Sequence, residues 1–121
     1  MFTVTVETSF SAAHQLTFPD GSKEPKHSHE WLVEAAVAAE KLDGNGFVCD
    51  FNEFKAKLEQ AVVPFRNAEL EELECFKNLN ASAENVAKYI YDAIAAQLPP
   101  QTRLEYVMVT EAALCRAKYS R

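Results

Sequence analysis

The stretch FTVTVETSFSAAH, residues 2–14, alternates mainly apolar with polar side chains and ends in a histidine. Phe10, Ala12 and His14 share one parity, and successive side chains of a β-strand point to opposite faces. The pattern therefore predicts a long first strand from about Phe2 to His14, with His14 at the end of its apolar face.

A second alternating stretch begins at His27-Ser28-His29 and runs to about Glu40. Two histidines separated by one residue lie on the same face of a strand. The apolar residues that continue this parity are Trp31, Val33, Ala35 and Val37. Antiparallel pairing of the two strands would bring all three histidines of the chain to one point.

Three converging imidazoles are typical ligands of a catalytic zinc ion, which takes three protein ligands and leaves a fourth position for water or substrate. A single histidine would be better interpreted as a polar residue at a strand end. Three histidines in phase favour a metal site, so we predict zinc bound by His14, His27 and His29.

Length and composition limit what such a site can belong to. A chain of 121 residues with 48% hydrophobic content predicts a single domain over residues 1–121. A net charge of −6 with scattered basic residues argues against a nucleic-acid surface. The chain begins directly with the alternating strand, which predicts a cytoplasmic protein without signal peptide or membrane span.

The cysteines Cys49, Cys75 and Cys115 are far apart and have no C-x-x-C spacing. This pattern favours neither a disulfide framework nor a cysteine metal site. We expect three reduced, mostly buried thiols.

The remaining patterns predict an α+β fold in the order ββααββ, with a four-stranded antiparallel sheet and two helices on one face. Capping residues and apolar stripes indicate helices that begin at Asp50 and Ser82 and end before prolines, with a mostly solvated connector between them. The other segments are a loop at 15–26, a turn at 43–46, the connector at 66–79, and strands at 103–111 and 114–119. Such a sheet leaves both edges open, so we expect an oligomer in which neighbouring chains cover them.

Five segments stand out as motifs: FSAAH at 10–14, HSH at 27–29, GFVCDF at 46–51, NASAEN at 80–85 and VMVTE at 107–111. Together they resemble motifs of the 6-pyruvoyltetrahydropterin synthase and 6-carboxytetrahydropterin synthase family, and the resemblance covers nearly the whole chain. The resemblance implies the tunnelling fold, in which three ββααββ subunits close a twelve-stranded barrel and two such trimers usually stack. A homotrimer or homohexamer with active sites between subunits is therefore expected.

The resemblance also implies functions for particular residues. Zinc would bind His14, His27 and His29, and Glu111 would anchor the pterin, because a carboxylate accepts two parallel hydrogen bonds from the 2-amino group and ring N–H. Ser82 would lie beside the pterin, within reach of a neighbouring subunit.

The sequence departs from the family pattern at two catalytic positions. Lys23 stands where the family has a cysteine, and Arg66-Asn67 stands near the family's Asp-His pair. Glu24, followed by Pro25, is similar to family variants in which a glutamate replaces the cysteine.

We therefore expect a zinc-dependent lyase that acts on the C6 side chain of a dihydroneopterin-type substrate. Glu24 is the favoured general base, and Lys23 could serve if its pKa were lowered toward neutrality. The alternative is a catalytically silent pterin-binding or assembly protein of the same fold. A pathway to queuosine, folate or biopterin is left open.

Overall fold

Two long antiparallel strands form the centre of the structure, a computed structural model that describes residues 1–121. The sheet has five strands in the order β3-β1-β2-β4-β5. The elements in chain order are β1 (Phe2–His14), β2 (His27–Ala39), α1 (Phe51–Val62), β3 (Ala68–Glu69), α2 (Ala83–Ala95), β4 (Arg103–Ala112) and β5 (Cys115–Tyr119). The ββααββ order and the α+β class predicted from the sequence are confirmed.

The β1–β2 pair has a continuous register over all thirteen residues of each strand. Phe2 lies opposite Ala39 at one end, and His14 lies opposite His27 at the other. Because side chains two residues apart share a face, His29, opposite Ala12, falls on the same face as His27 and His14. The strand pairing thus gathers the histidines at one end of the sheet.

Both helices pack on the apolar face of the sheet, where a single core cluster contains side chains from strands and helices alike. Helix α1 buries Phe54, Leu58 and Val62, and α2 buries among others Val86 and Ile90. Each such side chain contributes roughly 1.5–3 kcal/mol through its removal from water. The predicted arrangement of two helices on one face is present. Neither helix is long and apolar enough to cross a lipid bilayer.

Both helices begin at the predicted capping residues. The Asp50 carboxylate accepts hydrogen bonds from the backbone N–H groups of Asn52 and Glu53 at 2.7 and 3.1 Å. The Ser82 hydroxyl accepts one from the backbone N–H of Asn85 at 3.2 Å. These contacts satisfy amide groups that have no partner within the first helical turn.

Two features of the connector differ from the expectations. The parallel strand β3 pairs with Ala12 and Ala13, so the sheet has five strands instead of four. A two-residue strand carries no alternation that a sequence pattern could reveal. The connector is also less solvated than expected, because Leu70 and Phe76 are 0% and 3% exposed and belong to the core.

The thiols are also more accessible than expected. Cys49 and Cys75 are half-buried, and Cys115 is exposed in the strand β5 at the sheet edge. Burial raises the pKa of the Cys49 and Cys75 thiols above the ordinary value, which favours their protonated form. The expectation of mostly buried thiols is wrong for Cys115.

Candidate metal centre

The three histidine rings meet in one cluster at the end of the β1–β2 pair. The Nε2 atoms of His14 and His27 are 2.7 Å apart, and the ring centres of His27 and His29 are 4.6 Å apart. One ligand atom from each histidine and one from Glu111 all lie within 4.8 Å of one another. Four groups that bind metal ions are therefore directed at a common point.

Backbone carbonyl groups hold two of the rings in the orientation that a metal ligand needs. The Nδ1–H of His14 donates to the carbonyl of Ala81 at 2.7 Å, and that of His27 donates to the carbonyl of Pro25 at 3.0 Å. A carbonyl oxygen can only accept, so each Nδ1 carries the proton and, in the neutral ring, each Nε2 presents a lone pair. Such contacts behind the ligands fix the tautomer and ring orientation at metal sites.

Trp31 forms the floor of the cluster. Its ring is fully buried and packs edge-on against His14, with ring centres 4.9 Å apart, and Phe10 stacks parallel to it at 5.8 Å. The indole N–H donates to the carbonyl of Ala12 at 3.2 Å, which fixes the ring.

Burial lowers the pKa of His29, although the nearby Glu111 carboxylate acts in the opposite direction. The neutral imidazole that metal ions require is thus favoured at His29.

Glu111 joins the histidines from β4. Its Oε1 lies 2.5 Å from Nε2 of His14, 3.7 Å from that of His27 and 3.6 Å from that of His29. The family resemblance implies a pterin contact for Glu111 and does not place it among the histidines. Val107 and Val109 have the same parity and are fully buried, so their alternation was a signal that Glu111 faces the same side of the sheet.

The donor set fits a zinc-type ion. The Nε2 lone pairs of His14 and His27 face each other, and a carboxylate oxygen of Glu111 lies 2.5 Å from Nε2 of His14. These groups would repel one another unless a proton or a cation lies between them. Ligand atoms around a tetrahedral zinc ion are separated by about 3.3 Å, given metal–ligand distances of roughly 2.0–2.1 Å. The His14–His27 separation and the three separations from Glu111 run from 2.5 to 3.7 Å and surround that value, and all ligand atoms lie within 4.8 Å of one another.

The two residues considered as general bases lie in different surroundings. The Glu24 carboxylate accepts from the backbone N–H of Leu16 at 3.2 Å and lies 3.9 Å from Nδ1 of His27. Lys23 is exposed, makes no side-chain hydrogen bond or ion pair, and lines a cleft of about 490 Å³ together with Gln15 and Lys77. The structure therefore brings Glu24 next to the cluster but shows no contact between Lys23 and the histidines.

The other residues singled out from the sequence are engaged in structural contacts. Ser82 caps α2 directly after Ala81, whose carbonyl binds His14. Arg66 donates to the Glu59 carboxylate at 2.5 Å and to the carbonyl of Ser9 at 3.1 Å. The position where the resemblance places an acid–base pair thus carries an ion pair that ties α1 to β1.

A family model described as 6-pyruvoyl tetrahydropterin synthase matches residues 3–121 of this chain. The match therefore includes every residue of the histidine cluster. No curated protein sequence matches the chain significantly.

Solved structures of enzymes with this name share the fold. The Caenorhabditis elegans enzyme superposes with a TM-score of 0.85 at 24% identity, covering 100% of this chain and 97% of that one. The Plasmodium falciparum enzyme gives 0.78 at 20% identity, over 99% of this chain and 97% of that one. A Plasmodium vivax variant, described as a catalytic residue mutant with alanine in place of glutamate, gives 0.77 at 18% identity, with 99% and 97% covered.

Proposed function

Because the chain belongs to the 6-pyruvoyl tetrahydropterin synthase family, we propose that it is a zinc-dependent lyase acting on the C6 side chain of a dihydroneopterin-type substrate. The observation that carries this proposal is the cluster of three histidines and one glutamate at the end of the sheet. A protein that had kept only the fold would not need three inward-directed imidazoles with two of their tautomers set by backbone carbonyls.

His14, His27 and His29 are the proposed zinc ligands. When bound, zinc polarises side-chain oxygens and acidifies the adjacent O–H or C–H groups. The protein supplies rigid orientation, through the Ala81 and Pro25 carbonyls and the Trp31 floor. Glu111 is the proposed pterin anchor, since an ionised carboxylate can accept two parallel N–H bonds. Ser82 is proposed to lie beside the pterin.

Glu24 is the proposed general base. It lies on the loop between β1 and β2, its side chain is 23% exposed, and the Leu16 N–H holds one of its oxygens. A partly exposed carboxylate next to the cluster can take a proton from the substrate and release it to water. A Plasmodium vivax structure of this fold is described as a catalytic residue mutant with a glutamate replaced by alanine, which is in keeping with a catalytic glutamate in this chain. Lys23 is the weaker candidate because it has no contact with the cluster.

We further propose that three chains close a barrel and that two trimers can stack. The strand β5 lies at one edge of the sheet, and at the other edge β3 covers only Ala12 and Ala13 of β1. The rest of β1 is a long free edge, and such edges pair with other chains unless they are covered.

A catalytically silent pterin-binding protein is the second candidate. It is favoured by the Arg66–Glu59 ion pair at the position of the family's acid–base pair and by the lysine at position 23. Both proteins would bind zinc and a pterin, so turnover separates them.

The deciding experiment incubates the zinc-loaded protein with dihydroneopterin triphosphate and identifies the pterins by mass spectrometry. A product with a changed C6 side chain supports the lyase, whereas unchanged substrate with measurable binding supports the silent protein.

Three variants then assign the base. Glu24→Gln should slow turnover by about 10²–10⁴-fold, the usual contribution of general base catalysis. Lys23→Ala should have little effect, and a larger loss there would move the role to the lysine. A protein with Cys49, Cys75 and Cys115 all changed to serine should remain active. Inactivity of that protein with fold and zinc intact would contradict the assignment.

A further inference from the structure

We propose that Lys26 is a positioning residue of the metal site, which it preorganises by holding the ends of β1 and β2 together through Glu69 and Glu71. This inference rests on the proposed function, because the metal site belongs to that function. Lys26 directly precedes His27 at the start of β2, and Glu69 ends β3. The strand β1 lies between β2 and β3 in the sheet, so the Lys26 side chain spans the end of β1 to reach Glu69. We call these contacts the Lys26 bridge.

The Lys26 bridge consists of two ion pairs and one backbone contact. Nζ of Lys26 lies 2.7 Å from Oε1 of Glu69 and 2.7 Å from Oε2 of Glu71. The other oxygen of Glu71 accepts from the backbone N–H of Gln15, which follows His14, at 3.2 Å. One carboxylate therefore joins the residue after the first histidine to the residue before the second. A lysine shared by two carboxylates forms a network, which keeps its geometry better than an isolated surface pair.

The two glutamates of the Lys26 bridge lie on a segment that is fixed to the rest of the fold. The strand β3 pairs with Ala12 and Ala13 of β1. Leu70, which lies between Glu69 and Glu71, is fully buried in the core. The carboxylates thus have defined positions next to the end of β1, and they can hold the lysine in place.

The loop between β1 and β2 does not perform this task. Its backbone contact nearest to the histidines runs from the N–H of Glu24 to the carbonyl of Leu16 at 3.1 Å, so the segment directly before His27 has no partner strand. His14 and His27 form the last pair of the two strands, with Nε2 atoms 2.7 Å apart, and strand ends fray first. The facing lone pairs favour separation of the two rings when no cation lies between them. A contact that holds the strand ends therefore lowers the cost of assembling the ligands.

A direct electrostatic effect of Lys26 on the metal would have the opposite sign. An ammonium group next to a cation site repels the cation, so its removal would tighten metal binding. A contact that preorganises the ligands favours binding, so its removal weakens metal binding. The sign of the change in affinity separates the two effects.

The test uses proteins loaded with Co²⁺, whose affinity is measured by competition with a chelator and whose visible absorption reports the number and type of its ligands. Lys26→Met removes the charge but keeps most of the side-chain length. It should bind Co²⁺ about tenfold more weakly than the parent, the lower end of the loss for changes behind metal ligands. At saturation its spectrum should equal that of the parent, because all ligands remain. Lys26→Arg, which can still reach both carboxylates, should keep the affinity of the parent.

Two further variants show whether the effect belongs to the Lys26 bridge. Glu71→Gln should also weaken Co²⁺ binding, and in a Lys26→Met, Glu71→Gln double variant the second change should add little, because residues that act through one contact are not additive. Lys88→Met is the matched control. It removes an ammonium group that lies 2.9 Å from the carboxylate of Asp92 within α2, so it breaks an ion pair that joins no strand ends. Its Co²⁺ affinity should equal that of the parent.

Co²⁺ affinity that is unchanged or tighter in Lys26→Met would overturn the proposal and leave the proposed function intact. Additive effects of Lys26→Met and Glu71→Gln would also overturn it, as would an equal loss of affinity in Lys88→Met. A parent protein that binds no Co²⁺ would remove the metal site, and the proposed function and the Lys26 bridge would then fail together.

Discussion

The two ends of the β1–β2 pair differ in which side chains they bury: one buries a polar ring, and the other exposes apolar rings. At the histidine end, His14 is 1% exposed and packs on a fully buried Trp31. At the other end, Phe2 and Phe51 are 49% and 58% exposed and line, with Leu42 and Phe47, an apolar cleft of about 230 Å³. Twelve residue steps of about 3.3 Å place the two ends of a strand roughly 40 Å apart. We call the second region the apolar end.

The difference predicts that one pair of strands has two tasks, metal binding and assembly. At the histidine end, burial of the His14 ring is stable because its Nδ1–H donates to the carbonyl of Ala81, and a shared cation would satisfy its Nε2. At the apolar end, exposed phenylalanines are unfavourable in water and are typical of surfaces that contact another chain. Substitutions at one end should therefore change metal binding, and substitutions at the other should change assembly.

The largest effect is expected from a His27→Ala, His29→Ala double variant. Two of three proposed ligands are lost, so the purified protein should contain almost none of the roughly one zinc per chain expected for the parent. Elemental analysis of the purified proteins measures this. Ser28→Ala, between the two histidines but on the other face, should keep its metal. Equal zinc in the double variant and the parent would contradict the site.

At the apolar end, a Phe47→Glu, Phe51→Glu double variant should lower the mass of the particle measured by light scattering, because it places charges where a second chain is expected to pack. Phe51 opens α1, and a carboxylate in the first helical turn should not harm the helix.

Lys55→Glu is the control for the apolar end, since it lies exposed on the same helix and changes the net charge by the same amount. It should leave the particle unchanged, and both proteins should keep their zinc. A parent that is monomeric at micromolar concentration would refute the proposed trimer or hexamer.

A smaller effect is expected from Glu111→Gln at the histidine end. The amide loses the charge that strengthens the two-bond contact, so pterin binding should weaken by about 1.5–3 kcal/mol. Titration calorimetry with the zinc-loaded proteins measures the affinity. Zinc content should persist through the three histidines. Pterin affinity equal to that of the parent would remove Glu111 from the pterin site.

The smallest effects are expected at the two helix caps, one of which lies near each end of the β1–β2 pair. Asp50→Ala and Ser82→Ala should each lower the free energy of unfolding by about 1 kcal/mol, the usual value of an N-cap side chain. Chemical denaturation measures this loss. Asp50 follows the apolar end, whereas Ser82 follows Ala81 at the histidine end. Only Ser82→Ala should also weaken pterin binding, and equal pterin affinities would limit Ser82 to capping.

The sequence predicted the long strands, both helix starts and the ββααββ order because each depends on local patterns. Strand alternation has a period of two, and a capping residue acts within one helical turn. The convergence of the three histidines followed from the same reasoning, since His14 and the pair at 27 and 29 end two strands that are neighbours in the chain. Their binding of zinc stays a prediction.

The parts that sequence patterns missed all depend on contacts between distant segments. The connector buries Leu70 and Phe76 because the core offers them space, although the glutamates around them suggested a solvated segment. The strand β3 follows a turn at Asn67, which has a φ of 57°. The backbone N–H of Asn67 donates to the carbonyl of Ser11 at 2.7 Å, and this contact brings β3 beside β1. Neither contact has a local signature.

By itself, the sequence determined which residues could be metal ligands and on which face of their strands they lie, because side-chain alternation is a property of each strand alone. Only the tertiary structure decided that Glu111 meets the histidines. That contact depends on how β4 packs beside β2 and β5, with a register irregularity in each pairing. The packing of the whole core sets such a register between strands more than sixty residues apart, and no local pattern reports it.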